Sequence, residues 1–101
     1  MAKFEVEMVA FKSQGEDYGI RTVEVPDKEL TGKWENDLER VFYWGQNDFQ
    51  PQRTPSVSCG DIIRYEGRRY LMKAIGFEEV GPDEKGGFLK GYGLQRIEKK
   101  N

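Results

Sequence analysis

A chain of 101 residues with a net charge of −2, 37% hydrophobic, 34% charged and 13% aromatic residues has the length of one small domain, and its aromatic content is far above that of disordered chains. The single cysteine, Cys59, excludes an intramolecular disulfide, and the absence of histidine excludes Ser-His and Cys-His nucleophile pairs and His-bearing zinc sites. The acidic balance argues against non-specific nucleic-acid binding, which depends on many Lys and Arg contacts to phosphate. No apolar run nears the roughly 20 residues of a membrane span, so a cytoplasmic setting with no membrane partner is expected.

Residues 3 to 12 begin with the alternation of a half-buried strand at Phe4, Glu5, Val6, Glu7 and Met8. The pattern slips at Val9 and Phe11, which calls for a bulge near Met8-Val9 or a strand end covered on both sides. Ser13 to Asp17 is polar enough to close a hairpin. Tyr18 to Val25 then reads as a second strand, with Ile20 and Thr22 on one face and Arg21, Val23 and Val25 on the other. Pro26 ends it, having no N–H to donate to a ladder.

Leu30, Trp34, Leu38, Val41 and Phe42 recur at spacings of three and four, which predicts a helix over about 33 to 44 that turns these side chains to the core. Asp27 or Thr31 serves as N-cap and Gly45 as the stop. Glu35, Asn36, Asp37, Glu39 and Arg40 fall on the opposite face. The consecutive aromatics Phe42, Tyr43 and Trp44 sweep about 200° around a helix and cannot share one face. On one reading Phe42 is core and the other two cap the sheet edge. On the other, Tyr43 or Trp44 joins Phe49 and the amides Gln46, Asn47, Gln50 and Gln52 in a contact surface, since aromatic anchors are enriched where proteins bind.

Pro51 and Pro55 stiffen the link to the next strand. Ile62 to Tyr65 pairs through Glu66-Gly67 with Arg68 to Ile75, and Gly76 to Val80 continues or re-enters the sheet. Both faces of this hairpin are partly apolar, as in a small curved or barrel-like sheet. Gly81 to Gly87 is a loop, and Phe88-Leu89 with Leu94 and Ile97 suggests a last short strand. The expected fold class is α+β, with one helix packed on a mainly antiparallel, curved or partly barrel-like sheet in the order β-β-α-β-β-β.

The block Phe42-Tyr43-Trp44-Gly45-Gln46-Asn47-Asp48-Phe49-Gln50, followed by Ser56-Val57-Ser58-Cys59-Gly60-Asp61-Ile62-Ile63 and Gly76-Phe77, resembles small proteins of bacteriophages, plasmids and other bacterial mobile elements. These share an aromatic-Gly-Gln-Asn-Asp segment and a Ser-Val-Ser-x-Gly-Asp hairpin that ends in Gly-Phe. The resemblance covers about residues 38 to 77. It implies a bacterial or phage setting and carries over no catalytic residue.

Candidate chemistry is sparse. Glu78, Glu79, Asp83 and Glu84 lack the spacing of a calcium loop and read as a solvated loop. Gly86 to Gly93 has neither the P-loop nor the dinucleotide-binding pattern. Cys59 has no histidine to activate it and reads as a small buried hydrophobe. No cofactor, metal site or catalytic residue is expected. Two binding surfaces follow. The first is a protein-binding face of Glu35, Glu39, Tyr43, Trp44, Gln46, Asn47 and Phe49, serving a non-enzymatic accessory protein that engages a host or phage protein. The alternative is a nucleic-acid contact made by Arg64, Arg68, Arg69 and Lys73 with Tyr65 and Tyr70 interleaved, the mixture of cations and stacking rings by which small β-domains hold single strands.

Overall fold

The alternation near the N-terminus builds an antiparallel pair, β1 (Ala2–Glu7) and β2 (Ile20–Val25), in register from Ala2 opposite Val25 to Glu7 opposite Ile20. The structure, a computed structural model, describes residues 1–12, 15, 18–46 and 56–93. The pattern slip after Met8 is a strand end and not a bulge: the amide of Val9 turns back to the carbonyl of Glu7, while Met8 and Ala10 are both buried.

After Pro26, a single 3-10 turn (Asp27–Glu29) leads to α1 (Trp34–Trp44). Next come β3 (Ile62–Tyr65), β4 (Arg68–Met72) and β5 (Phe77–Val80). The five strands form one sheet in the order β2-β1-β3-β4-β5, with every neighbouring pair antiparallel. The fold is therefore α+β with the expected β-β-α-β-β-β order, and the sheet does not close. The β3–β4 turn, Glu66-Gly67, has positive φ at both positions (49° and 78°), as a two-residue hairpin loop matched to strand twist requires.

Period-2 alternation and the strand register assign the two faces. Phe4, Val6, Val23, Val25, Ile63, Tyr65, Tyr70 and Met72 lie under α1, which contributes Leu38 and Val41 to the same core. Each fully buried aliphatic of this kind adds about 1.5–3 kcal/mol of transfer free energy. Ile62 and Leu71 point the other way yet are also buried. Ile62 lies beside Gly86 in the segment leading into α2 (Phe88–Gly91), which is tied on by Gly87 N–H to Gly60 O and Phe88 N–H to Ala10 O. Two coverings of an open sheet, and not barrel closure, make both faces of the hairpin apolar.

The expected strand at Phe88-Leu89 is this one-turn helix instead; Leu94 and Ile97 lie outside the described residues. Backbone meets backbone beneath the sheet. A Cβ on Gly91 would strike the Gly60 nitrogen, and one on Gly60 would sit 2.5 Å from the Gly87 oxygen. Among the described residues, no helix is long and apolar enough to cross a membrane.

Candidate binding surface on helix α1 and the hairpin groove

The start of α1 is organised by a residue expected among the charged side chains of the solvent face, although it stands four before the buried Val41. Asp37 is only 2% exposed. Its carboxylate accepts the amides of Thr31 (2.9 Å) and Gly32 (3.1 Å), the Asn36 side-chain amide (3.1 Å) and the Tyr65 hydroxyl (2.6 Å). Burial opposes its ionisation, but these donors outweigh burial and hold the carboxyl below its usual range. Neither Asp27 nor Thr31 is the N-cap: that position is Lys33, which makes no side-chain capping bond. Asp37 instead reaches back from the first turn to fix the approach to the helix.

The three aromatics at the helix end separate differently from either expectation. Trp44 turns inward, packs against the core and donates its indole N–H to Glu29 (3.1 Å). Phe42 is 36% exposed and Tyr43 46% exposed, with Tyr43 set edge-on to Trp44. At 100° per residue, Glu35, Glu39, Phe42 and Tyr43 fall within an arc of about 100°, and all four are exposed. The acidic stripe expected at Glu35 and Glu39 is thus continuous with two ring side chains, of which Phe42 was assigned to the core by periodicity.

Gln46 is half-buried and acts as a helix terminator, donating to the carbonyls of Phe42 (2.8 Å) and Val57 (3.1 Å). Gly45 stops the helix without a left-handed conformation (φ −78°). It is required there because a Cβ would sit 2.5 Å from Val57 Cγ2. Asn47 and Phe49, with Gln50 and Gln52, lie outside the described residues.

Trp34, also expected in the core, is 40% exposed. Its ring stacks on Tyr70 at 5.2 Å and 15°; Tyr70 meets Tyr65 edge-on, and Tyr65 stacks on Phe4. This row of rings rises from the core to the surface and ends in a groove of about 540 Å³ between the first turn of α1 and the β3–β4 turn. The groove is lined by Gly32, Lys33, Trp34, Glu35, Tyr65, Glu66, Arg68 and Tyr70.

The alternative basic surface is divided by strand alternation. Arg64 and Arg69 lie on the sheet face opposite α1, whereas Tyr65 and Tyr70 are buried beneath it. Arg64 and Arg69 are thus separated from the tyrosines by the sheet, and Arg68 alone of the strand cations shares their face. Arg69 forks onto Glu7 (Nε to Oε2 2.9 Å, Nη2 to Oε1 2.7 Å) and also donates to the carbonyls of Gly81 and Glu84, both at 2.6 Å. The Arg69 contact, with help from Arg64, lowers the Glu7 pKa against the cost of burial. Arg64 bonds to Glu7 (3.1 Å) and Glu5 (3.4 Å), Arg68 pairs with Glu79 (3.3 Å), and Lys73 stands 3.8 Å from Glu78. Each of the four cations therefore faces a carboxylate of its own chain.

The acidic loop residues are dispersed in the same way, Glu84 being held by Lys90 at 2.5 Å. Among the described residues, no group of three or more acidic or cysteine side chains is placed to hold a metal. Cys59 is half-buried, with its thiol directed at the Lys73 carbonyl (3.5 Å). Asp61 is the one residue of the Gly-Asp hairpin with an unforeseen part: 1% exposed, it accepts the amides of Ala10 and Ser58, both at 2.8 Å.

No protein-family model, curated protein or solved structure matches the chain. Among the described residues, the α1 stripe and the adjoining groove bring exposed aromatic rings together with carboxylates.

Proposed function

We propose that this protein is a non-enzymatic binding module, an accessory protein of a phage or mobile element. It acts in the cytoplasm of a bacterial host and engages a host or phage protein through the outer face of α1. The observation that carries the reading is the continuity of Phe42 and Tyr43 with Glu35 and Glu39 on the exposed arc of that helix. Aromatic side chains on rigid secondary structure lose little conformational entropy on binding and supply most of the energy at protein interfaces. The neighbouring carboxylates favour a partner with a basic surface. The resemblance to mobile-element proteins in residues 38 to 77 supports the setting. The geometry lends less to a nucleic-acid surface, because Arg64, Arg68, Arg69 and Lys73 already face carboxylates.

The test is affinity capture from bacterial lysate by the whole protein, with and without nuclease, beside a Phe42→Ser/Glu39→Lys variant of matched stability. The expected result is a defined protein retained by the parent after nuclease treatment and lost from the variant. Retention that the variant leaves undiminished, or that nuclease abolishes, overturns the reading.

A further inference from the structure

The groove beside the α1 stripe has the composition of a receptor for one cationic side chain. Its aromatic wall is Trp34, backed by Tyr70 and still 40% open to solvent. Glu35 and Glu66 line it, and neither carboxylate has an ion-pair partner among the described residues. Of the two cations in the lining, Arg68 is held by Glu79 and Lys33 stands alone. Directly behind the floor, Asp37 is held in its ionised form and bonded to the Tyr65 hydroxyl. Counting Glu35, Glu66, Asp37 and Glu79 against Lys33 and Arg68, negative charge prevails. The Tyr65 hydroxyl bordering the groove has its pKa pushed up, chiefly by burial and then by its bond to Asp37 and the charges of Asp37 and Glu66.

We propose that this groove receives an arginine side chain of the protein partner, its guanidinium stacked on Trp34 and paired with Glu35 and Glu66. The inference rests on the protein-binding reading above and names the chemistry of the partner. Arginine is favoured over lysine because a planar, weakly hydrated guanidinium satisfies an indole face and a carboxylate at once, whereas an ammonium is a compact, strongly hydrated charge. The wall is rigid before binding. Trp34 opens α1, and Asp37 ties that turn to Tyr65 of the sheet. Glu66 projects from a two-residue turn whose backbone is fixed by hairpin geometry. Little ordering cost then remains for the guest to overcome.

The experiment is a nuclear magnetic resonance titration of the full ¹⁵N-labelled chain, following the indole N–H of Trp34 with that of the inward Trp44 as internal control. The probe is the blocked peptide acetyl-Gly-Gly-Arg-Gly-Gly-amide, with lysine and citrulline counterparts and adenosine monophosphate as a competing class. The expected result is saturable movement of Trp34 but not Trp44 with the arginine peptide. Binding is at least about threefold weaker for lysine and does not saturate for the neutral citrulline. Glu66→Gln, at an exposed turn, should weaken the arginine peptide by about threefold or more. A stationary Trp34 signal, equal response to citrulline, or tighter binding of the nucleotide overturns the proposal. The capture experiment on the Phe42/Glu39 variant fails or succeeds separately. Arginine binding here with capture insensitive to that variant would sustain the groove and sink the α1 surface.

Discussion

The hydroxyl of Tyr65 on β3 donates a 2.6 Å hydrogen bond to the buried carboxylate of Asp37 on α1, joining the first turn of the helix to the centre of the sheet. The same carboxylate holds the amides of Thr31 and Gly32. Tyr65→Phe should therefore cost about 1–2 kcal/mol, and Asp37→Ala about 2–4 kcal/mol because it strands the buried phenol as well. Urea denaturation of both single variants and the double variant should give a coupling of about 1 kcal/mol or more, as expected for groups in direct contact. Because the Asp37 pKa is lowered in the folded state, this stabilisation is present above the usual carboxylate range and is lost as pH falls through the folded value.

Asp61 has the opposite sign. Burial raises its pKa from 3.8 to about 6, against the opposing pull of the amides of Ser58, Ala10 and Val9. Between pH 4 and 6 the folded protein holds a proton that the unfolded chain has released, so this residue's contribution to stability falls as pH rises through that window and levels off above it. The span amounts to about 3 kcal/mol at most. Asp61→Asn removes the titration but also withdraws a carboxylate oxygen from Ala10 or Ser58. The variant should be less stable throughout, with the difference from the parent largest near pH 4 and smallest above pH 6. Urea midpoints of both proteins at pH 4, 5, 6 and 7 check the slope.

The placement of the aromatic residues predicts a contrast on one helix. Phe42→Ser should change stability by no more than about 1 kcal/mol, since the ring is at the surface, while Leu38→Ala should cost about 2–5 kcal/mol through loss of a fully buried side chain. Thermal unfolding of the two variants measures this. A large loss from Phe42→Ser would return that ring to the core.

The main-chain contact beneath the sheet makes Gly91→Ala disruptive although a single methyl is added. The new carbon would meet the Gly60 nitrogen and the Cys59 carbonyl carbon, neither of which can swing aside as a side chain would. A loss of about 1–3 kcal/mol is expected. Amide exchange should show faster opening at Gly87 and Phe88, whose N–H groups bond to Gly60 and Ala10.

Local pattern was enough to read strands within residues 3–12, 18–25, 62–65 and 68–75, the return to the sheet over 76–80, the helix ending at Gly45, and the α+β order, because each depends on periodicity, a proline or a tight turn. The first, second and fourth strands are shorter than read, at 2–7, 20–25 and 68–72. What escaped was long-range. Asp37 is charged, which suggests solvent, yet it stands four before Val41 on the buried arc, and its burial is made tolerable by the Tyr65 hydroxyl, 28 positions away, together with the amides of Thr31 and Gly32. Arg64 and Arg69 of the β3–β4 hairpin resemble a patch until Glu5 and Glu7 arrive from β1, more than 55 positions earlier. Phe42 sits at the margin of the apolar arc, where angle alone does not decide burial, whereas Trp34 falls by angle between the buried Val41 and Leu38 and is exposed at the very first position of the helix. One signal was available. Three adjacent aromatics guarantee that at least one faces water, and the ring with an indole N–H suits a partly buried position beside an acceptor such as Glu29.

The sheet is assembled from two strand groups, β1–β2 and β3–β4–β5, that meet at only two aligned residue pairs, Val6 with Ile63 and Glu7 with Ile62. Each group can form from neighbours close in sequence, whereas their junction must close a loop of more than 50 residues. Chain-closure entropy places that junction late in folding. Substitutions along it, at Glu7, Arg69 or Asp61, should accelerate unfolding far more than they slow refolding, which makes the junction the determinant of how long the native molecule persists.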